Sequence, residues 1–168
     1  MQPSEALSAA AQVAVTLAGF AGVVVAFRSG SVHEWSKIDK FRLRILLMNS
    51  TVPFMLSILG MVLASTSLDP VLVWRLCSLV TFILIILIAP VSARIRGNFT
   101  RREFKASGAK RSVFYVGSFM GMAATLLQLY NFIRLQTFWP FLVAIGTFLI
   151  LGILQFILLV LAGHDRPS

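Results

Sequence analysis

The chain has 168 residues, of which 58% are hydrophobic and only 12% charged, whereas a soluble domain is about half apolar and a quarter charged. That balance excludes an ordinary water-soluble domain and implies an integral membrane protein. The formal net charge of +9 does not imply nucleic acid, because the basic residues flank apolar runs and no basic, aromatic-interleaved domain stands outside them.

A helix needs about 20 mostly apolar residues to cross the hydrocarbon core. Five stretches meet that length: Leu7–Phe27, Leu43–Ala64, Val71–Ala93, Val113–Ile133 and Phe138–Ala162. The runs lack strict alternation and are too long for barrel strands. The expected fold is therefore all-α, a polytopic bundle of five transmembrane helices. Residues 1–168 form one membrane domain, with basic loops at 28–42 and 94–112.

The first span holds no charge between Glu5 and Arg28. Small residues recur there at every fourth position: Ala6, Ala10, Ala14, Ala18, Gly22 and Ala26. Such a stripe lets a neighbouring backbone come close, which in lipid replaces the hydrophobic effect as the force joining helices. The opening residues carry Glu5 but none of the basic residues that a secretory signal needs.

The connection that follows is basic. Ser36 and Asp39 have the spacing of a capping box, so a helix is predicted to begin near Lys37. Trp35, Ile38 and Phe41 are expected to face lipid while Lys37, Lys40 and Arg44 reach headgroups. Within the second span, Asn49-Ser50-Thr51 is followed by Pro53, a candidate polar core or pore lining beside a predicted kink. A short turn leads to Asp69-Pro70, an N-cap followed by proline at the first helical position. The third span carries Arg75 near its start and Pro90, a second predicted kink, near its end.

The basic loop after it is too short for a domain, and a short surface helix is expected near 101–106. The fourth span contains Gly117-x-x-x-Gly121, a helix-packing motif. A tight turn containing Arg134 leads to the fifth span. Matching depths predicts two amide pairs, Gln12 with Gln128 and Asn49 with Gln155. Arg75 and Arg134 are candidates for an outer ring of charge in an oligomer.

Lys and Arg set the orientation. Arg28, Lys37, Lys40, Arg42 and Arg44 lie on one side, together with Arg94, Arg96, Arg101, Arg102, Lys105, Lys110, Arg111 and Arg166. Only Arg75 and Arg134 lie on the other. The expected topology puts the N-terminus outside and the C-terminus in the cytoplasm. The chain resembles the small multi-span proteins common in bacteria, which implies a cytoplasmic membrane and no particular activity.

The missing chemistry narrows the function. No Asp, Glu, His or Lys lies deep in a predicted span, as a proton relay would require. The histidines are His33 and His164, in the loop and the tail, and the lone cysteine is Cys77. No catalytic residue, metal site or cofactor is expected. The expected partners are membrane lipids, with anionic headgroups at the cytoplasmic face, and further copies or other membrane subunits. The chain reads as an accessory or structural subunit packing through small-residue faces. The alternatives are a homo-oligomeric channel lined by the second and third spans and, more weakly, a small-molecule transporter using broken helices.

Overall fold

A computed structural model of the chain describes residues 2–27, 32–100 and 111–164. Among these residues there are five long helices and no strand. They are α1 (Pro3–Phe27), α2 (Lys37–Ala64), α3 (Pro70–Gly97), α4 (Arg111–Tyr130) and α5 (Phe138–His164). A 3-10 turn, Val32–Glu34, precedes α2, and a π-helical turn, Asn131–Leu135, carries α4 toward α5. Each of the five has a stretch long and apolar enough to cross a membrane. The protein is thus an all-α, multi-pass membrane bundle. Arg28, the surface helix expected near 101–106 and Arg166 lie outside the described residues, as do the side chains of His33 and His164.

Two helix starts follow directly from short-range chemistry. The Ser36 hydroxyl accepts a hydrogen bond from the Asp39 amide at 3.1 Å, and α2 begins at Lys37. The Asp69 carboxylate accepts from the Val71 amide at 2.8 Å, and α3 begins at Pro70. Each side-chain oxygen satisfies an amide that has no partner within its own helix. Both α2 and α3 continue through their prolines, Pro53 and Pro90.

The packed centre is α1, α2 and α5. Leu7 and Phe141 meet at Gly60, and Leu17 and Asn49 meet at Gly152. These contacts run α2 antiparallel to both α1 and α5. One cluster joins Leu7, Ala10, Ala14, Leu56, Phe141, Ile145 and Leu149 to Val73, Trp74 and Cys77 of α3. A second joins Leu17, Ala21, Trp35, Leu43, Leu46 and Leu159. Beyond the core, large apolar side chains such as Phe27, Phe119 and Met122 are exposed on the protomer surface, as lipid or a partner helix requires.

The small-residue stripe of α1 is only half used. Ala6, Ala10 and Ala14 are buried, Ala18 is partly covered, and Gly22 and Ala26 are exposed. Leu17 and Ala21 take over as the buried positions. The reason is geometric. A strict four-residue repeat advances about 40° per step against a helix of 3.6 residues per turn, so Gly22 ends up nearly opposite Ala6. Gly121 makes no close packing contact inside the protomer. A Cβ added at Gly22 or Gly121 would meet nothing within 4 Å, and one at Gly117 only a Leu151 methyl at 3.6 Å. The glycines that do permit close approach are Gly60 and Gly152, neither of which belongs to a Gly-x-x-x-Gly pair. A Cβ at Gly60 would lie 2.8 Å from Leu7 Cδ1, and one at Gly152 would lie 2.6 Å from Leu17 Cδ2.

The aromatic and aliphatic residues around the start of α2 also turn inward. Trp35, Ile38 and Phe41 are buried rather than facing lipid, because this end of α2 is covered on more than one side. Trp35 joins the second cluster, and Phe41 meets Phe99 edge-on at 5.4 Å between ring centroids.

Candidate functional site

Polar side chains collect in three places. The first is where α3, α4 and α5 meet, near the same end of the bundle as the start of α1. Asn131 is fully buried and donates to the Ser78 hydroxyl at 2.6 Å and to the Thr137 carbonyl at 3.0 Å. Its own carbonyl-type oxygen accepts from the Thr137 amide at 3.1 Å. Gln136 stands at a left-handed φ of 52°, and its amide closes the π-helical turn on the Asn131 carbonyl at 2.9 Å. Gln128, also fully buried, donates to the Pro140 carbonyl at 2.7 Å. Pro140 stands in the first turn of α5, so this bond fastens α4 to the start of α5. Arg75 lies over the Phe132 ring, 4.9 Å from its centroid, a cation–π contact. Arg134 is exposed at the same end. These bonds tie α3, α4 and α5 to one another.

The second place is the middle of the α2–α5 contact, where the sequence suggested a pore. Asn49 and Ser50 are buried there, but Thr51 is exposed on the outer surface of the protomer. Consecutive residues on a helix point about 100° apart, so the three do not form one lining. The Ser50 hydroxyl donates to the Leu46 carbonyl of its own helix at 2.9 Å. Asn49 packs its Cβ 3.3 Å from the Cβ position of Gly152, one turn from Gln155. No hydrogen bond joins Asn49 to Gln155, and Gln155 Oε1 is buried without a partner. The other expected pair is corrected outright. Gln12 is exposed on α1, while Gln128 faces α5 and bonds to Pro140. Depth alone gives one coordinate; rotation about the helix axis supplies the other, and Gln12 points away from the buried Ala10 and Ala14.

The third place is the opposite, basic end. Asp39 and Arg42 are both buried, with Arg42 Nη1 3.5 Å from Asp39 Oδ1 and 3.5 Å from the Leu158 carbonyl oxygen of α5, to which it donates. On the other side of α2 the cations Lys37, Lys40 and Arg44 are exposed. With Phe41 of α2 and with Ile95, Asn98 and Phe99 at the end of α3, they line a cleft of about 420 Å³. Sequence reasoning placed these cations at the headgroups but missed the cleft and the buried pair. A signal for the pair was present: Asp39 and Arg42 are three residues apart, on the face that carries Ile38, Leu46 and Asn49.

Among the described residues, no three His, Cys, Asp or Glu side chains lie close enough to hold a metal ion. No protein-family model, curated protein or solved structure matches the chain.

Proposed function

We propose that the chain is an accessory or structural subunit of a larger membrane assembly, inserted with its N-terminus outside and its basic end in the cytoplasm. The destination of the polar side chains inside the spans carries this reading. Ser50, Thr81 and Thr125 donate back to carbonyls of their own helices, while Gln128 and Asn131 fasten helix to helix. Groups used in this way stiffen a bundle and do not line a water-filled path. The coverage of α4 gives further support. Only 17% of its apolar stretch is buried within the protomer, against 28–39% for the other four. Its outer face, with Tyr115, Phe119, Met122 and Leu126, suits a helix of a different subunit. The thirteen-to-two bias of Lys and Arg toward one end supports the orientation.

The test is the composition of the particle extracted from its native membrane in mild detergent. Co-purification with a different membrane protein at fixed stoichiometry is the expected result. A symmetric homo-oligomer that conducts ions in liposomes would instead establish a pore and overturn the accessory role. For orientation, Ser67→Cys in the exposed turn between α2 and α3 should react with an impermeant maleimide on intact cells. Cys77, fully buried, should stay silent. Labelling of Ser67→Cys only after permeabilisation would reverse the topology.

A further inference from the structure

We propose that the outward face of α1, centred on Gln12, Thr16 and Gly19, is the surface through which two copies of this chain pair in the membrane. The pairing does not rest on the accessory role. That role uses α4, which packs on α3 and α5, and two copies of α1 can meet whether or not a different subunit covers α4.

The face follows from the rotation of α1. At 100° per residue, Gln12, Thr16, Gly19 and Val23 fall within a sector of about 60°, and all four are exposed. The buried Leu7, Ala10, Ala14, Leu17 and Ala21 centre roughly 180° away. The helix therefore has one small-residue face used inside the protomer and a second turned outward. A Cβ added at Gly19 would meet nothing within 4 Å. The neighbouring Phe20 ring lies aside against Phe156 of α5, with centroids 5.5 Å apart. A second backbone can thus approach α1 closely at Gly19, as in other small-residue crossings in lipid.

Gln12 turns a permitted contact into a required one. It stands about 9 Å inside the uncharged run that opens at Ala6. Among the described residues nothing bonds to its carboxamide, since the Thr16 hydroxyl donates to the Gln12 backbone carbonyl, at 2.8 Å. Residues 28–31, 101–110 and 165–168 adjoin the helices at the other, basic end of the bundle. An amide in hydrocarbon is costly unless another polar group meets it.

The membrane selects a second copy as that group. Copies inserted with the same topology carry α1 in the same direction. A two-fold axis along the membrane normal then brings each residue opposite its own counterpart, at the same depth. A residue that faces itself must be self-complementary. A carboxamide is, because its NH2 donates and its oxygen accepts, so two Gln12 side chains can exchange two hydrogen bonds. Thr16 and Gly19 are small and neutral, and the run from Ala6 to Phe27 holds no charge to repel its copy. Glu5 lies on the same side but about 10 Å nearer the water, where its carboxylate accepts from the Gln2 amide at 3.1 Å.

The experiment uses the full-length protein in its native membrane, at low expression, with single cysteines in a Cys77→Ala background. Iodine, which enters the bilayer, oxidises thiols that meet. Thr16→Cys and Gly19→Cys are expected to give a disulfide-linked species of twice the protomer mass. Val13→Cys, about 100° around α1 from Gln12, and Phe119→Cys on α4 should give about tenfold less. Gln12→Leu should lower the Gly19→Cys yield about fivefold, the effect of losing an interhelical amide bond. Gln12→Asn keeps the carboxamide and should retain most of the yield. All these positions are exposed on the protomer, so the substitutions leave its core intact. No linked dimer at Gly19→Cys, an unchanged yield in Gln12→Leu, a link at Phe119→Cys in place of Gly19→Cys, or a linked species whose mass shows a different protein would each overturn the proposal. A Gly19→Cys dimer from particles that carry no foreign subunit would support the pairing and count against the accessory role alone.

Discussion

Methionine in place of Arg42 is expected to destabilise the bundle by about 3–5 kcal/mol, the range for removing one partner of a buried ion pair. The side chains of Arg42 and Asp39 are 3% and 1% exposed, and their charged atoms stand 3.5 Å apart. Loss of the guanidinium leaves the carboxylate in a site that water does not reach, and also removes the donor to the Leu158 carbonyl. Replacing both groups, as Asp39→Leu/Arg42→Met, should recover most of the loss, because no lone charge is left behind. The cap of α2 survives in either case, since Ser36 accepts from the Asp39 backbone amide and not from its side chain. Cys77 provides the measurement. It is the only cysteine in the chain and is fully buried, so its rate of reaction with a maleimide in mild denaturant follows the opened population. Losses that simply add in the double variant would show that the two charges act independently.

Leucine in place of Gly152 is expected to cost about 3 kcal/mol, the upper end for overpacking a tight core, or roughly a 100-fold faster reaction of Cys77. The first added carbon already lies 2.6 Å from Leu17 Cδ2 and 3.3 Å from Asn49 Cβ. A leucine methyl can rotate aside, so Gly152→Ala should cost only about 1 kcal/mol. The remaining atoms of leucine have no such escape, because the Asn49 backbone oxygen stands 3.7 Å from the same Cβ position. Gly121→Ala should instead leave stability unchanged or raise it by up to about 1 kcal/mol, the helix propensity gained over glycine. Equal losses at Gly121 and Gly152 would mean that α5 does not approach α1 and α2 at Gly152.

These two glycines show what the sequence discloses and what it conceals. The existence of five spans rests on run length alone, and short-range rules suffice for the starts of α2 and α3, where Ser36 and Asp69 bond to amides two or three residues on. The rotation of each span is less legible. In lipid almost every position is apolar, so hydrophobic periodicity no longer marks the buried face. Gly117 and Gly121 have the Gly-x-x-x-Gly motif without a close contact inside the protomer, while Gly60 and Gly152 have the contact without that motif. Asn131 looked like an ordinary residue at the end of a span. Its three bonds depend on a π-helical turn and a left-handed Gln136, neither of which has a local sequence signature. The basic cleft was half visible. The cations of α2 stand out in the sequence, but Asn98 and Phe99 lie more than fifty residues further on, and only the packing of α3 brings them alongside.

The central claim is that α2 and α5 touch at Asn49 and Gly152. A cysteine pair tests it most directly. In a Cys77→Ala background, Asn49→Cys/Gly152→Cys places two Cβ atoms about 3.3 Å apart, close to the spacing of roughly 3.5–4.5 Å found in disulfides. Mild oxidation of the protein in membranes should close an intramolecular disulfide rapidly and nearly completely, seen as loss of both free thiols without a dimer band. Thiols that stay free in the folded protein, or that link only between different molecules, would contradict the packing on which the bundle is built.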